Sequence, residues 1–335
     1  MARATIDDVA KRAGVTKSTV SHALSGKRPV SEETRRRING AVAALGYRPH
    51  PLARRLAAGR SGAIGFVYPL SVNGGTGVEN AVLSAASEAI SAAGFALVLL
   101  AQPDPDATEL RTFVESGLLD GLILAQVQMQ DERVRVLCNA GAPFVMMGRT
   151  SDNSGLSFID VDVDAATETA VERLLELGHQ RIAFLHDDAH ASGAVSRALQ
   201  AYERTCARRR IRLTAPGCPP SAIGGRIQTK AILEQRPDIT ALVIWSDAAA
   251  LGAYQAAVDL GRRIPQDLSL VCLGRTQLSE LAGVELTCAD LRCDEQARQA
   301  AAMLLEILGE AAPGERQVLL EPAWSSGETT APPRR

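Results

Sequence analysis

Three short segments near the N-terminus carry apolar residues at the spacing of an α-helix. The first segment follows Thr5, whose side chain can cap it, and its apolar stripe stops at Gly14. The second segment follows Thr16 and the third follows Ser31, which are two further capping residues. Each apolar stripe is narrow and leaves a polar face. The pattern predicts three short helices, with a tight turn between the first two.

The second predicted helix has one apolar and one polar face. Val20 and Leu24 are four residues apart and would face a core. The polar positions share the opposite face: Lys17, Ser18, Ser21 and His22. A helix, a tight turn and a second helix with a polar outer face form the plan of a helix-turn-helix, whose second helix enters the major groove of DNA. A three-helix domain with a merely solvated face is the alternative.

From Ser61 onward, short apolar runs alternate with helical patterns. The runs read AIGFVYP, FALVLLA, GLILA, PFVMMG, RIAFLHD, TALVIWS and LSLVCLG. Apolar strands separated by helices are typical of parallel sheets with helices on both faces. The runs fall into two successive sets, which predict two similar lobes. A later helix, CDEQARQAAAMLLEIL, and the strand RQVLLEP are expected to return to the first lobe.

The composition is that of a soluble protein with a hydrophobic core. Apolar residues make up 46% and charged residues 22% of the 335 residues, as in a core-forming soluble protein. No apolar run approaches the roughly 18 residues that a membrane span needs, and the N-terminus lacks the apolar stretch of a secretory signal. The six cysteines form no CxxC pair. We therefore expect reduced thiols in a cytoplasmic protein without a metal or a cofactor.

Charge is distributed unevenly along the chain. Residues 1–60 hold 13 Lys and Arg against 4 Asp and Glu, whereas the rest holds 23 against 34, so a net charge of +9 faces one of −11. A basic head on an acidic body suggests a module that binds a polyanion. Lys17 can reach guanine acceptors, and Ser18 and Ser21 stand where Glu and Lys would make a better surface helix. These features favour DNA binding over a solvated surface.

The N-terminal sequence resembles the LacI/GalR family of bacterial transcription regulators. The matching residues are TIDDVAKRAGVTKSTVSHALSGKRPVSEETRRRINGAVAALGYRPHPLARRL. The resemblance implies that Lys17, Ser18 and His22 read bases. It also implies that a set of hydroxyl residues contacts phosphates: Thr5, Thr16, Thr19, Ser21, Ser31 and Thr34.

A short segment after the third helix, RPHPLARRLAAGRSG, is predicted to be a hinge. Pro51 suits the first position of a helix and Gly59 its end, but a helix of about eight residues is marginal in water. By resemblance, this hinge helix forms when two subunits meet on operator DNA. His50, Ala53 and Leu56 would then face the minor groove, where Leu56 wedges between base pairs. A flexible Arg-rich linker is the alternative.

The resemblance covers nearly the whole chain, including GFVYP, DGLIL, LGHQRIAFL, WSDAAALGA and RIPQDLSLV. It implies an effector domain similar to periplasmic sugar-binding proteins. The predicted fold is a small all-α helix-turn-helix domain followed by an α/β effector domain of two doubly wound parallel-sheet lobes. The predicted boundaries are 1–47 for the DNA-binding domain, 48–60 for the hinge and 61–335 for the effector-binding and dimerisation domain. Lobe 1 would take 61–161 and 292–320, and lobe 2 would take 162–290 and 321–330.

Ligands of such sheets bind beyond the carboxyl ends of the strands, which here means between the lobes. The candidate residues lie in those loops: Leu70, Ser71, Arg149, Asp160, Arg197, Ser246, Asp247, Gly274 and Arg275. By resemblance, Arg197 and Asp247 form bidentate hydrogen bonds to ligand hydroxyls or carboxylates. An ion pair between the lobes is the alternative role for these residues.

Two places depart from the family pattern. Ser246 replaces the usual Asn, and Gly274 with Arg275 stands where the family usually has an acid that anchors sugar hydroxyls. Arg149, Arg197 and Arg275 together would favour an anionic effector, a sugar acid or a phosphosugar, over a neutral sugar. An Arg275 side chain that points to solvent would remove that preference.

Enzymatic alternatives lack the residues they need. The glycine-rich NGGTG run fails the dinucleotide pattern because Asn80 occupies the last glycine position. The run HDDAH at 186–190 lies at a strand end and is better interpreted as a solvated loop than as a metal cluster. No Ser, His and Asp stand in the context of a nucleophile elbow. We find no catalytic constellation.

The sequence therefore predicts a ligand-responsive transcription regulator that is not an enzyme. It would bind a pseudo-palindromic operator in double-stranded DNA as a homodimer and repress catabolic or transport genes. A small sugar, sugar acid or phosphosugar would control its affinity for DNA, with no cofactor and no membrane partner. A solute-binding protein for sugar transport is the alternative, and it predicts a signal peptide and no basic head.

Overall fold

A computed structural model describes the chain over residues 5–25, 30–45, 61–69, 77–101, 107–188, 192–274, 283–309 and 314–334. The chain divides into two compact units: an N-terminal helical unit, and a larger unit whose described residues form two β-sheets. Over the described ranges, no helix is long and apolar enough to cross a membrane.

The N-terminal unit contains the predicted helices: α1 at Ile6–Ala13, α2 at Lys17–Ser25 and α3 at Glu32–Leu45. Thr5 caps α1 in a reciprocal capping box with Asp8, whose carboxylate accepts a hydrogen bond from the Thr5 backbone N–H at 2.8 Å. Asp8 thus takes the place that Glu or Gln commonly fills. The fully buried side chains of Val9, Val20 and Ile38 form the centre of the core where the helices meet.

The first sheet of the larger unit is parallel throughout. Its strands are β1 at Ala63–Val67, β2 at Ala96–Leu100, β3 at Gly121–Leu124, β4 at Phe144–Met147, β5 at Phe158–Val161 and β10 at Gln317–Leu320. Their order across the sheet is β10-β5-β4-β3-β1-β2. The inner strands β3 and β5 are buried along their whole length, as strands covered on both faces must be.

The second sheet is parallel except at one edge. Its strands are β6 at Ile182–Leu185, β7 at Ala241–Ile244, β8 at Ser269–Leu273, β9 at Thr287–Asp290 and β11 at Ala323–Ser325. Their order is β11-β9-β8-β7-β6, and β11 pairs antiparallel with β9.

Helices separate most of these strands in the chain. They are α4 at Gly77–Ala92, α5 at Ala107–Glu115, α6 at Glu132–Ala140, α7 at Val163–Glu176, α8 at Gly193–Arg209, α9 at Ala222–Gln235, α10 at Asp247–Asp259 and α11 at Cys293–Ile307. The alternation of strands and helices agrees with the predicted apolar runs.

Side chains of the second sheet alternate between two cores. On β7, Val243 packs with α7 and α8, whereas Leu242 and Ile244 pack with α9 and α10. Successive side chains of a strand point to opposite faces, so helices cover both faces of this sheet. The predicted class, a helix-turn-helix domain followed by doubly wound α/β lobes, is confirmed.

The chain passes between the two sheets after β5, after β9 and after β10. Helix α11 packs Ala297, Ala300 and Leu304 into the core of the first sheet, and β10 pairs with β5 in that sheet. We call the first sheet with α4, α5, α6 and α11 lobe 1, and the second sheet with α7 to α10 lobe 2. The predicted domain boundaries themselves remain predictions.

Helices α9 and α10 of lobe 2 pack at very close range. A Cβ at Gly252 would lie 1.9 Å from the carbonyl oxygen of Ala222, and a Cβ at Gly225 would lie 2.1 Å from that of Ala249. Side chains other than hydrogen do not fit at either position unless the two backbones separate.

Gly252→Ala should therefore destabilise the larger unit by roughly 1–3 kcal/mol, the usual cost of overpacking. Denaturant unfolding followed by tryptophan fluorescence measures this, because both tryptophans of the chain, Trp245 and Trp324, lie in lobe 2. Gly314→Ala is the control in the same unit, since a Cβ at Gly314 meets nothing within 4 Å. An unfolding midpoint that Gly252→Ala leaves at the wild-type value would contradict the close packing.

Candidate DNA-binding surface and effector cavity

Gly14 and Arg37 hold the turn between α1 and α2. Gly14 has φ +62°, in the left-handed region that glycine adopts without strain. The Arg37 guanidinium on α3 donates hydrogen bonds to the carbonyl oxygens of Ala13 and Gly14 at 2.5 and 3.2 Å. A cation at these carbonyls also suits the negative end of the helix dipole. Helix α3 thereby fixes the end of α1 and the turn that orients α2.

Helix α2 carries the residues predicted to read bases. The Thr16 hydroxyl oxygen accepts a hydrogen bond from the Thr19 backbone N–H at 3.2 Å and caps the helix. Val20 is fully buried on the inner side, as predicted. The predicted reading face combines exposed side chains, Lys17 and Ser18, with half-buried ones, Ser21 and His22.

Lys17 already has an anionic partner. Its Nζ lies 3.0 Å from Oδ2 of Asp7 on α1, and the two side chains are 62% and 65% exposed. An exposed pair of this kind contributes about 0–1 kcal/mol. Lys17 can therefore leave Asp7 for a base or a phosphate at little cost. Sequence analysis missed Asp7, because only the packing of α1 against α2 brings it to Lys17.

The hydroxyl residues predicted to contact phosphate lie at or within the first turn of a helix, except Ser21, which lies in the middle of α2. The Ser31 hydroxyl donates to Oγ1 of Thr34 at 2.8 Å and accepts from the Thr34 backbone N–H at 3.3 Å. The first-turn N–H groups and the positive end of the helix dipole favour a bound phosphate there. Thr5 is less suited to this role, because its hydroxyl donates to the carboxylate of Asp8 at 2.7 Å.

Several predicted positions lie outside the described part of the chain. They are the side chain of Leu24, the hinge residues His50, Ala53 and Leu56, and the effector candidates Leu70, Ser71 and Arg275. Their predicted roles stay predictions.

A cavity of about 180 Å³ lies between the two lobes of the larger unit. Its walls include the carboxyl ends of strands from both sheets, where ligands of such sheets bind. Lobe 1 contributes Tyr68 after β1, Gln126 after β3 and Gly148 after β4. Lobe 2 contributes Trp245 after β7 and Gly274 after β8. The predicted effector residues Asp160, Ser246 and Asp247 line the cavity as well.

The cavity is acidic. Among the described residues, its lining contains the carboxylates of Glu79, Asp160, Asp187 and Asp247 and no Lys or Arg. Each of these acids is at most 9% exposed. The Ala248 backbone N–H donates to Oδ1 of Asp247 at 2.8 Å, which orients this carboxylate at the start of α10. Ionised carboxylates are acceptors only, so this lining suits a ligand rich in hydrogen-bond donors.

A buried ion-pair cluster joins the lobes beside the cavity. Oδ2 of Asp160 lies 2.6 Å from Nη2 of Arg197 and 3.2 Å from Nε of Arg149. Arg197 also donates to the carbonyl oxygen of Arg149 at 3.0 Å. Asp160 and Arg149 belong to lobe 1, and Arg197 belongs to α8 of lobe 2. We call these three residues the Asp160 cluster.

Burial perturbs the acid–base behaviour of the Asp160 cluster. It raises the pKa of the Asp160 carboxyl, an effect that the charge of Arg197 opposes. Burial also lowers the pKa of the Arg197 guanidinium, against the attraction of Asp160. Both pKa shifts show that burial disfavours the charged form of each side chain and that the opposite charge of its partner stabilises it.

The structure thus brings together three of the predicted effector residues, Arg149, Asp160 and Arg197. Both guanidiniums lie within 3.2 Å of the carboxylate of Asp160, and neither arginine belongs to the described lining of the cavity. In this conformation Arg197 takes the alternative role that sequence analysis left open, an ion pair between the lobes.

Several residues of the cavity are not among those that the sequence predicts. Tyr68, Gln126, Asp187 and Trp245 follow β1, β3, β6 and β7 within two residues. The rule that ligands bind at the carboxyl ends of strands, applied to every predicted strand, would have found these four. Glu79 lies in the first turn of α4 and carries no such signal.

An N-terminal helix-turn-helix followed by two α/β lobes around a cavity defines the class of ligand-binding transcription regulators. Residues 5–50 match the bacterial regulatory proteins of the lacI family, and residues 171–330 match the periplasmic binding protein-like domain. The HTH-type transcriptional regulator reg1 of Streptomyces lividans is 31% identical to this chain, over 97% of this chain and 96% of the relative. The chain belongs to the lacI family of bacterial regulatory proteins.

Solved structures agree with this membership. The crystal structure of the lac repressor dimer bound to operator and the anti-inducer ONPF is 26% identical, with a TM-score of 0.84 over 98% of this chain and 100% of that chain. A complex of the transcriptional regulator CelR with cellobiose has the same fold, at 24% identity and a TM-score of 0.73 over 98% and 100% of the two chains. The predicted resemblance is confirmed, and the protein is a DNA-binding transcription regulator of a family that consists of regulators rather than enzymes.

Asp160→Asn should destabilise the larger unit by about 3 kcal/mol, because it leaves the buried Arg197 guanidinium without its anion. Denaturant unfolding followed by tryptophan fluorescence measures the loss. Glu306→Gln is the matched control in lobe 1, since it removes only the exposed partner of Arg316 and should cost at most about 1 kcal/mol. Equal losses in the two variants would show that the Asp160 cluster does not hold the lobes.

Proposed function

We propose that this protein is a homodimeric, cytoplasmic repressor of catabolic or transport genes that catalyses no reaction. It binds a pseudo-palindromic operator, and a neutral sugar in the cavity between its lobes changes its affinity for that operator. One observation carries the proposal: a cavity lined by buried carboxylates lies between the lobes of a chain that also carries a helix-turn-helix.

In this proposal the N-terminal unit divides its contacts between bases and phosphates. Lys17, Ser18 and His22 on α2 read base edges in the major groove. Arg35 and Arg36 on α3 are exposed and attract phosphates without regard to sequence. The net charge of +9 over residues 1–60 supports this salt-dependent attraction. The hinge residues His50, Ala53 and Leu56 add minor-groove contacts.

A second copy of the chain is proposed to cover an apolar face on α9 and α10. Ile223, Ile227 and Val258 are 74%, 63% and 59% exposed. The ion pair of Arg226 with Asp259 at 2.6 Å ties the two helices that carry them. Exposed apolar groups on joined helices are typical of protein interfaces. A dimer with two-fold symmetry would present two reading helices to two half-sites. The solved lac repressor is likewise a dimer bound to operator.

The effector is proposed to be a neutral sugar rather than an anion. The carboxylates of Glu79, Asp187 and Asp247 in the lining accept hydrogen bonds from hydroxyls and disfavour an anionic ligand, whereas the charge of Asp160 is already paired with arginine. Arg149 and Arg197, which favour an anion when the sequence is considered alone, are both paired with Asp160 in this structure. A regulator of this fold holds cellobiose.

A solute-binding protein for transport is the competing function. Such a protein also has two lobes around a cavity, but it has no use for a DNA-reading helix. The capped helix α2, with Lys17 and Ser18 exposed on a strongly basic unit, favours the regulator.

Lys17→Ala and His22→Ala should change which base pairs are preferred in each half-site, at a cost of about 1–3 kcal/mol on the wild-type sequence. Arg36→Ala should weaken binding to all duplexes alike and lower the slope of log K against log salt by about one. Duplexes selected by the wild-type protein from a random library, titrated by fluorescence anisotropy, provide the comparison. A base preference that changes with Arg36→Ala and not with Lys17→Ala would reverse this assignment.

Calorimetric titration with glucose and cellobiose, against gluconate and glucose 6-phosphate, tests the effector class. We expect a neutral sugar to bind at least about tenfold more tightly than its anionic counterpart, because the cavity is acidic. Asp247→Asn should weaken the sugar that binds, whereas Asp294→Asn, which removes the exposed partner of Arg298, should not. Tighter binding of the sugar acid or the phosphosugar would overturn the neutral class.

A further inference from the structure

The loop between β3 and α6 reaches both the cavity and the opposite lobe. Gln126 and Val127 of this loop line the cavity. The Val127 carbonyl oxygen accepts a hydrogen bond from the Gly193 backbone N–H at 2.7 Å. Gly193 is the first residue of α8 in lobe 2, the helix that carries Arg197. A Cβ at Gly193 would lie 2.9 Å from that carbonyl oxygen, so the approach depends on glycine.

Gln126 holds a backbone conformation that its residue type rarely adopts. Its φ is +52°, in the left-handed region. Sterics disfavour this region for residues with a long side chain, and Asn and Asp enter it much more readily. Its Nε2 donates to the hydroxyl of Tyr68 at 3.4 Å, which is too long to hold the backbone in place. The surroundings of Gln126 must therefore maintain its conformation.

A buried ion pair at the start of α6 supplies that support. Nη2 of Arg133 lies 2.6 Å from Oδ2 of Asp131, and the two side chains are only 8% and 2% exposed. The same Nη2 donates to the carbonyl oxygens of Ala125 and Gln126 at 3.3 and 3.2 Å. Oδ2 of Asp131 accepts from the Gln128 backbone N–H at 3.1 Å. The pair thereby holds the loop on both sides of Val127.

The ion pair is ionised in spite of its burial. Burial by itself would raise the pKa of Asp131, but the hydrogen bonds and charge of Arg133 lower it below the ordinary value. A charged guanidinium forms stronger hydrogen bonds to carbonyl oxygens than a neutral donor does. The hold on Ala125 and Gln126 is therefore present across the neutral pH range.

We propose that Arg133 is a positioning residue that, together with Asp131, keeps Gln126 left-handed and aims the Val127 carbonyl at Gly193 of lobe 2. Arg133 is absent from the described lining of the cavity and acts only through the loop. Without it, the loop relaxes, the cavity wall changes shape and the hydrogen bond between the lobes weakens. The consequence for ligand binding rests on the proposed effector function, whereas the consequence for the interlobe hydrogen bond does not.

Hydrogen exchange of the Gly193 amide in the ligand-free, full-length protein tests the proposal. Arg133→Met keeps the length of the side chain and loses its hydrogen bonds, so the exchange rate at Gly193 should rise on the order of tenfold. Mass spectrometry on fragments that resolve Gly193 measures the rate. Arg135→Met is the matched control on the same helix, because Arg135 pairs with Glu132 at the surface, and it should leave the rate unchanged. A Gly193 rate that Arg133→Met does not raise would overturn the proposal.

A second substitution separates positioning from general damage. Gln126→Asn keeps the amide and favours the left-handed region. Added to Arg133→Met, it should restore most of the protection of the Gly193 amide. If Arg133→Met acts only by disrupting the packing around residue 133, Gln126→Asn should leave the Gly193 exchange rate unchanged. Failure of this rescue would assign Arg133 a merely structural role. If Arg133→Met does not fold, Arg133→Lys gives the same comparison. A lysine keeps the positive charge, but its single ammonium group cannot bridge the Asp131 carboxylate and the carbonyl oxygens of Ala125 and Gln126.

Calorimetric titration of the same variants with cellobiose examines the cavity separately. If cellobiose binds the wild-type protein, Arg133→Met should weaken it and Arg135→Met should not. Equal affinities of the two variants for cellobiose would show that Arg133 does not shape the cavity wall. If cellobiose and glucose bind no variant, the proposed effector class fails, and the Gly193 exchange rate still decides whether Arg133 positions the loop.

Discussion

The relative position of the two lobes depends on the carboxylate of Asp160. This group is buried on an inner strand of lobe 1 and is shared by Arg149 of its own lobe and Arg197 of the other. Removal of charges from water is costly, and their mutual attraction offsets that cost only when each partner is in place. Partial displacement of one lobe would leave a buried charge unpaired. The Asp160 cluster therefore favours one discrete arrangement of the lobes over a continuous range of arrangements.

A discrete arrangement is what a ligand-controlled regulator requires. A ligand shifts a conformational equilibrium only by the difference between its affinities for the two states. The cavity has walls from both lobes, so a ligand held there senses their relative position. The Asp160 cluster and the hydrogen bond of Gly193 to Val127 span the same cleft. Ligand contacts and interlobe contacts thus change together, which couples occupancy of the cavity to the shape of the larger unit.

The sequence predicted those features that depend on local spacing. Capping by Thr5 and Thr16, the turn at Gly14 and the apolar runs of most strands depend on neighbours within a few residues. The strands β5, β9 and β11 are not evident from the sequence, because each includes a polar residue in its short run, whereas the equally short β3, β4, β6 and β7 are apolar throughout. Arg133 was missed for another reason. A charged residue in a sequence is ordinarily interpreted as exposed, and only the pairing with Asp131 makes its burial possible.

The charge that a site offers to a ligand is also a tertiary property. Arg149 follows β4 and Arg197 lies in the second turn of α8, and together they suggest an anion site when the chain is considered as a sequence. A guanidinium that is paired with a carboxylate of the protein attracts an anionic ligand less strongly, and both arginines are paired with Asp160 here. What faces the cavity is a set of buried carboxylates. Because carboxylates are acceptors and carry negative charge, such a wall favours a ligand that presents hydroxyl donors and disfavours an anion.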